Sequence, residues 1–397
     1  MRKVEGMSAA PSRRLVVGAM LAGLSVPEVA TAAMRKGGTM TRFAYVGCRT
    51  SRERHAQGKG ISVYSIDPAS SAWTLVQLVD GLFNPSYLAF DRTRRYLYTV
   101  HGDGSEASAF RIDRATGRIT FLNRVTTGGR NPVHLTPDPS NRFMVIANHI
   151  VADGVKSGIA SLPIEADGRL GPPVDVVPFE GKIGPHRIEQ PFPKPHQVQF
   201  DPGGRFLIVP DKGCDRVVVY TLDVQGKLHA VPADWAAARE CSGPRHVAFH
   251  PGGRLAYVIN ELDSTVVAYH FDPATGALKP FQIVSALPDT FTGNSRGSEI
   301  AVSADGRFVY ASNRGYDSVV LFAIDQASGR LTPRAWVPSG GKTPRFFALA
   351  EDGAHLFVAN EESSNIVRLT IDATSGKLSD PVVVAETGSP TTIVFSG

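Results

Sequence analysis

One phrase recurs six times along this 397-residue chain. A turn containing Pro or Gly opens it and a short apolar strand follows. Next comes Asp-Pro-x-Gly-Arg or a variant, then a second strand ending in Asn or another polar residue. Copies begin at Pro85 (PSYLAFDRTRRYLYTV), Pro132 (PVHLTPDPSNRFMVIAN), Pro195 (PHQVQFDPGGRFLIVPD), Pro244 (PRHVAFHPGGRLAYVIN), Arg296 (RGSEIAVSADGRFVYASN) and Pro344 (PRFFALAEDGAHLFVAN). With Pro85, Pro132, Pro195, Pro244, Gly297 and Pro344 as marks, the spacings are 47, 63, 49, 53 and 47 residues. A period of this size marks a repeat architecture, in which each copy buries its apolar faces on its neighbours.

Each copy carries two more strand-like runs. STVVAYHFD and ATGALKPFQIV follow one copy, and DSVVLFAID and ASGRLTPRAWV follow another. Four β-branched and aromatic runs per unit of about 50 residues describe a propeller blade. No stretch of 3.6-residue periodicity is long enough to compete. The chain stops at SPTTIVFSG, which begins like a seventh copy, while FAYVGC, GISVYSID and WTLVQLV near its start supply the three missing strands. The expected fold is all-β: one seven-bladed β-propeller over residues 41–397, with four-stranded antiparallel blades. The last blade is closed by the N- and C-terminal strands, which removes the open sheet edge.

Residues 1–33 read as an address rather than as part of the fold. Ser12-Arg13-Arg14-Leu15-Val16-Val17 resembles a twin-arginine export motif, with Val16 where that motif usually has Phe. An apolar stretch from Leu15 to Val26 and a small-residue cleavage pattern, Ala30-Thr31-Ala32-Ala33, follow. About 12 apolar residues are too few to span a bilayer, so no membrane span is expected. The reading is a periplasmic or secreted protein with a short linker at 34–40; a start at Met34 or Met40 would instead leave it cytoplasmic. The net charge of +5 falls to +3 without this segment, which holds four basic and two acidic residues. No Lys/Arg run remains to grip a phosphate backbone, so no nucleic-acid partner is expected. Three cysteines without a C-x-x-C pair exclude a disulfide scaffold. A monomer is expected.

The strongest repeats, GPRHVAFHP at 243–251, VINELDSTV at 258–266, RGSEIAVSADGRFVYASNRGYDSV at 296–319 and PHQVQFDPGGRFLIVPD at 195–211, resemble the seven-bladed propeller lactonase family. That family includes bacterial 6-phosphogluconolactonase and fungal 3-carboxy-cis,cis-muconate lactonizing enzyme. The chain departs from it at Cys48-Arg49, where the family tends to have Thr-Tyr, at Lys194, where a His is usual, and at His149, where a Tyr is usual.

Propeller geometry leaves a funnel along the axis, lined by first strands. His134, His196, Arg245 and Arg296 lie at the starts of first strands. Asn148, Asp211, Asn260-Glu261, Asn313-Arg314 and Asn360-Glu361 end second strands. Equivalent slots in neighbouring repeats converge on one axis. The resemblance implies a catalytic group of His196, Arg245, Glu261 and Arg296. Lactone opening needs a base, an oxyanion stabiliser and an anchor for an anionic tail. Glu261 is the expected general base, Arg245 or His196 the stabiliser, and Arg296 the anchor. The plainer reading of Glu261 is a salt bridge to Arg245. His134, Asn148, Asn260, Asn313 and Arg345 are the expected substrate-binding residues, Arg345 because it shares the repeat slot of Arg245. There is no P-loop, dinucleotide fingerprint or H-E-x-x-H motif, so no cofactor or metal is expected, and no covalent nucleophile is expected either. The leading function is hydrolysis of a small anionic lactone of the 6-phosphogluconolactone type. The alternatives are a carboxymuconate-type cycloisomerase and a non-catalytic binding platform.

Overall fold

The computed structural model describes residues 42–396 apart from Pro68, Ala69, Asp153 and residues 232–235. The export segment and linker lie outside the described residues. Among the described residues the strands form seven antiparallel sheets, each running first-second-third-fourth from the axis outward. The first strands are Pro85–Phe90, Arg130–Pro137, Gln199–Phe200, Pro244–Phe249, Arg296–Val302, Pro344–Leu349 and Pro390–Ser396. The second strands are Tyr96–His101, Phe143–Ile150, Leu207–Asp211, Leu255–Asn260, Phe308–Arg314, His355–Asn360 and Arg42–Cys48. The seventh blade joins the chain ends as expected: Pro390–Ser396 pairs with Arg42–Cys48, which pairs with Gly60–Ile66.

Both faces of every blade are apolar, because alternate residues of a strand point to opposite faces. On Leu255–Asn260, Ala256 and Val258 pack toward the third blade while Tyr257 and Ile259 pack toward the fifth. Among the described residues there are thus seven buried apolar clusters, each drawn from two adjacent blades. A clamp recurs between blades. The Tyr310 hydroxyl donates to the Gly376 carbonyl in the next blade at 2.8 Å, as Tyr257 does to Gly329 at 2.9 Å and Tyr98 to Gly168 at 3.0 Å. Gly376 has φ +70°, and a Cβ there would lie 2.7 Å from the Phe308 ring. This Gly of the third-to-fourth strand turn therefore serves backbone conformation and blade contact together. The Asp-Pro-x-Gly-Arg units are turns built on the aspartate. Asp201 accepts the N–H groups of Gly203, Arg205 and Phe206.

The third blade departs from the repeat. Its first strand is only Gln199–Phe200, preceded by an isolated bridge from Pro195 to Asp211. Around that bridge His196 N–H donates to Pro210 O at 3.0 Å and Lys212 N–H donates to Lys194 O at 3.1 Å. Residues Ala236–Ala237 add a fifth strand segment on Arg216–Leu222. The 63-residue spacing corresponds to a segment over residues 179–194 that belongs to no blade. Gly184 N–H donates to Gly213 O, and Gln190 Nε2 donates to Lys212 O, which fastens the segment beside the end of the third blade's second strand.

Two substitutions test the clamp by urea unfolding of the full chain. Tyr310→Phe is expected to cost about 1 kcal/mol, the net worth of one buried hydrogen bond. Gly376→Ala is expected to cost more, about 2 kcal/mol, because it adds a positive-φ penalty to the clash with Phe308. An unchanged midpoint for Gly376→Ala would show that the turn is not held under the ring.

Candidate active site

Strict alternation would send only every second side chain of a first strand to the axis. The register slips between Pro85 and Tyr87, Pro132 and His134, Pro244 and His246, and Pro344 and Phe346. Each slip is a bulge that re-aims one side chain. Consecutive residues therefore face inward together. Ser86 with Tyr87, Arg245 with His246, and Arg345 with Phe346 line one narrow central cavity along with His196. Tyr87, His134 and His246 form an aromatic group, with His134 4.2 Å from Tyr87 and 5.8 Å from His246 between ring centres.

At the ends of second strands, alternation holds and splits each expected pair. The first member turns back into the blades. Asn148 bonds Thr127 through both amide atoms, at 2.8 and 3.1 Å, and Asn313 Nδ2 donates to Ala286 O at 2.7 Å. Asn260 Nδ2 donates to Thr265 Oγ1 at 2.9 Å. Thr127 and Ala286 follow the last strand of the preceding blade, so Asn148 and Asn313 are staples between blades. All three asparagines are buried; their amide nitrogens donate within the scaffold, while Asn260 Oδ1 and Asn313 Oδ1 have no hydrogen-bond partner. In four of these slots the next residue is charged. Lys212, Glu261, Arg314 and Glu361 follow Asp211, Asn260, Asn313 and Asn360.

Four cations meet on Glu261. Its Oε1 lies 2.6 Å from Lys212 Nζ and 3.5 Å from Arg296 NH1, and its Oε2 lies 3.1 Å from Arg245 Nε and 3.2 Å from Arg314 NH2. A second carboxylate, Glu189, bridges Lys212 at 2.9 Å and Arg296 at 2.7 Å. A neighbouring network at the mouth joins Arg345, Glu361, Arg49 and Asp103 through contacts of 3.4, 3.3 and 2.9 Å. Arg296, expected as a catalytic residue, stands half-exposed at the rim of the first group, whereas Arg245 and Glu261 are buried within it. His196 sits deeper, with its ring centre 5.2 Å from His246 and 5.0 Å from His149. Its Nδ1 is buried without a hydrogen-bond partner.

Burial alone would raise the Glu261 carboxyl, but Lys212, Arg314 and Arg245 hold it well below the usual carboxylate range. Burial, and then Arg314, lower Arg245 to about 9 against the pull of Glu261. Burial followed by Arg245 pushes His196 and His246 well below the usual imidazole range, so both are neutral near pH 7. His246 Nδ1 lies 2.9 Å from Glu299 Oε1. Burial raises Glu299 to about 8, yet Arg245 NH1, which can only donate, faces His246 Nε2 at 3.2 Å. That contact places the imidazole proton on Nδ1, between the two groups.

The structure brings His196, Arg245, Glu261 and Arg296 into one neighbourhood. It adds Lys212, Arg314 and Glu189. Lys212 and Arg314 were legible as the residues after Asp211 and Asn313 in the repeat slot of Glu261. Glu189 lies in the segment outside the repeats and had no such signal. Among the described residues no group of three or more His, Cys, Asp or Glu side chains is placed to hold a metal ion, and no helix is long and apolar enough to cross a membrane.

Comparison with known proteins places the fold. The chain is 36% identical to a 6-phosphogluconolactonase of Bacillus subtilis over 78% of this chain and 85% of that protein. Among solved structures, it superposes on a periplasmic gluconolactonase of Pseudomonas aeruginosa with TM-score 0.82 and 31% identity, covering 90% of this chain and 99% of that one. A 6-phosphogluconolactonase named as putative from Bacteroides fragilis gives TM-score 0.79 at 28% identity, over 90% of this chain and 99% of that one. Residues 43–395 match the family described as Lactonase, 7-bladed beta-propeller, to which this chain belongs.

Proposed function

We propose that the protein hydrolyses a small anionic lactone, with the Glu261 group as its reaction centre. The observation that carries this reading is the meeting of Lys212, Arg245, Arg296 and Arg314 on one buried carboxylate. With Glu189 included, four cations face two carboxylates, a surplus that draws anions and stabilises a tetrahedral oxyanion. The names of the relatives, 6-phosphogluconolactonase and periplasmic gluconolactonase, support a sugar-acid lactone as substrate.

In the free protein Glu261 is ionised but a weak base, because both its oxygens are held by cations. A substrate anion that draws Arg296 and Lys212 toward itself releases Oε1 and raises its basicity. Glu261 then takes the proton of an attacking water as the new C–O bond forms. Arg245 and Arg314 offset the charge on the carbonyl oxygen. When the ring C–O bond breaks, the proton returns to the leaving alkoxide, directly or through the free Nδ1 of His196. The acid is released with a free hydroxyl.

Purified protein is expected to open 6-phosphogluconolactone faster than its spontaneous hydrolysis. Arg296→Ala should raise KM about ten-fold for this substrate, the worth of one charge-assisted hydrogen bond, and leave uncharged gluconolactone within about two-fold. Equal losses on both would reject the anchor role, and silence on every lactone would overturn the proposed activity.

The pH profile tests the base. A carboxyl held below its usual range keeps its charge as pH falls, so kcat/KM for gluconolactone, which has no phosphate to titrate, should stay level above the spontaneous rate from pH 8 to about 5 and fall only below the ordinary glutamate range, about 4.3. An inflection near 6.5 would assign the proton to a histidine instead.

Export also belongs to this proposal, supported by the twin-arginine-like leader and by likeness to a periplasmic protein. Mass spectrometry of the protein from its host should find an N-terminus close after Ala33. An intact Met1 would remove the support.

A further inference from the structure

Glu189 is the one member of the charged group that no blade supplies. It lies in the segment over 179–194 that makes the third spacing 63 residues. Apart from the ion pairs of Glu189 itself, that segment is fastened by a backbone carbonyl, a backbone N–H and the Gln190 side-chain amide. Arg216 NH2 donates to Glu180 O at 2.6 Å, Gly184 N–H to Gly213 O at 2.9 Å, and Gln190 Nε2 to Lys212 O at 2.9 Å. These bonds set the Glu189 side chain over the group from outside, where it takes one contact from Lys212 and one from Arg296.

The two carboxylates share these cations unequally. Arg296 NH1 lies 2.7 Å from Glu189 but 3.5 Å from Glu261. Arg296 is 47% exposed and Glu189 17%, against 5% for Glu261. An anion arriving from solvent therefore meets Arg296 already engaged by Glu189, on the solvent side of the group. Burial would raise the Glu189 carboxyl, but hydrogen bonds from Lys212 and Arg296 bring it down to about 2, so it is ionised throughout the working pH range. It competes as a full negative charge.

We propose that Glu189 is a resident counter-anion that sets the charge specificity of the site. It occupies the place on Arg296 and Lys212 that the anionic tail of the substrate must take. A tail carrying a full dianion displaces it, whereas a weakly charged one does not. This rests on the reading that the substrate carries an anionic tail. Displacement needs only rotation of the Glu189 side chain, because the hydrogen bonds that anchor its segment come from neighbouring residues. Glu189 is a specificity residue and not a catalytic one, and its removal acts on KM rather than kcat.

The test compares the full chain with Glu189→Gln and Glu189→Asp, with inorganic phosphate as the probe in calorimetric titration. Glu189→Gln should bind phosphate about five-fold tighter, the worth of one partly exposed ion pair. Its KM for 6-phosphogluconolactone should fall by a similar factor, with kcat and the KM for uncharged gluconolactone unchanged. Glu189→Asp keeps the charge and should stay near the parent. Phosphate binding that is unchanged, weaker or absent in Glu189→Gln would overturn the proposal, as would an equal KM change for charged and uncharged lactones. If no lactone is turned over, the activity proposed above fails while the phosphate titration still decides the role of Glu189.

Discussion

A four-stranded sheet with two apolar faces cannot rest in water alone. Every blade here must be covered on both sides, and only a closed ring gives each sheet two neighbours. Among the described residues, the seven apolar clusters each lie between two blades. Closure of the seventh blade by Pro390–Ser396 on Arg42–Cys48 is therefore a condition of stability for the whole ring, because without it two apolar faces would open to solvent. The Tyr-to-Gly clamps and Asn staples follow from the same demand, since each ties one blade to the next.

The ring also makes the site. Residues far apart in sequence occupy matching slots, and symmetry turns the slots into a circle around one axis. Two departures from simple alternation decide which side chains enter. The bulge after the opening proline lets Arg245 and His246 face inward together. The ends of second strands keep alternation, so Asn313 stays in the scaffold while Arg314 reaches Glu261. Each role follows from a one-residue shift in strand geometry.

Charge in the group is arranged rather than merely accumulated. Glu261 holds four cations that would otherwise repel one another in a buried place, and they in turn lower its basicity. A site of this kind is poised for an anion, because an incoming negative charge relieves repulsion among guanidinium groups and loosens the hold on the carboxylate. The neutral histidines beneath it add a polar, uncharged floor whose protonation burial and Arg245 oppose.

The sequence by itself determined the seven-fold all-β ring, its closure by the chain ends, and the neighbourhood of His196, Arg245, Glu261 and Arg296, because repeat period and slot position are local properties of the chain. It also carried Arg314, beside Asn313 in the slot of Glu261, and Lys212, had that slot been read one residue past Asp211. Only the tertiary structure decided which member of each pair faces the axis, since that depends on register and bulges set by pairing. It alone showed that Asn148 and Asn313 bond to the preceding blade. It alone brought in Glu189, whose place depends on how a non-repeating segment docks against the third blade, a long-range contact with no period to betray it.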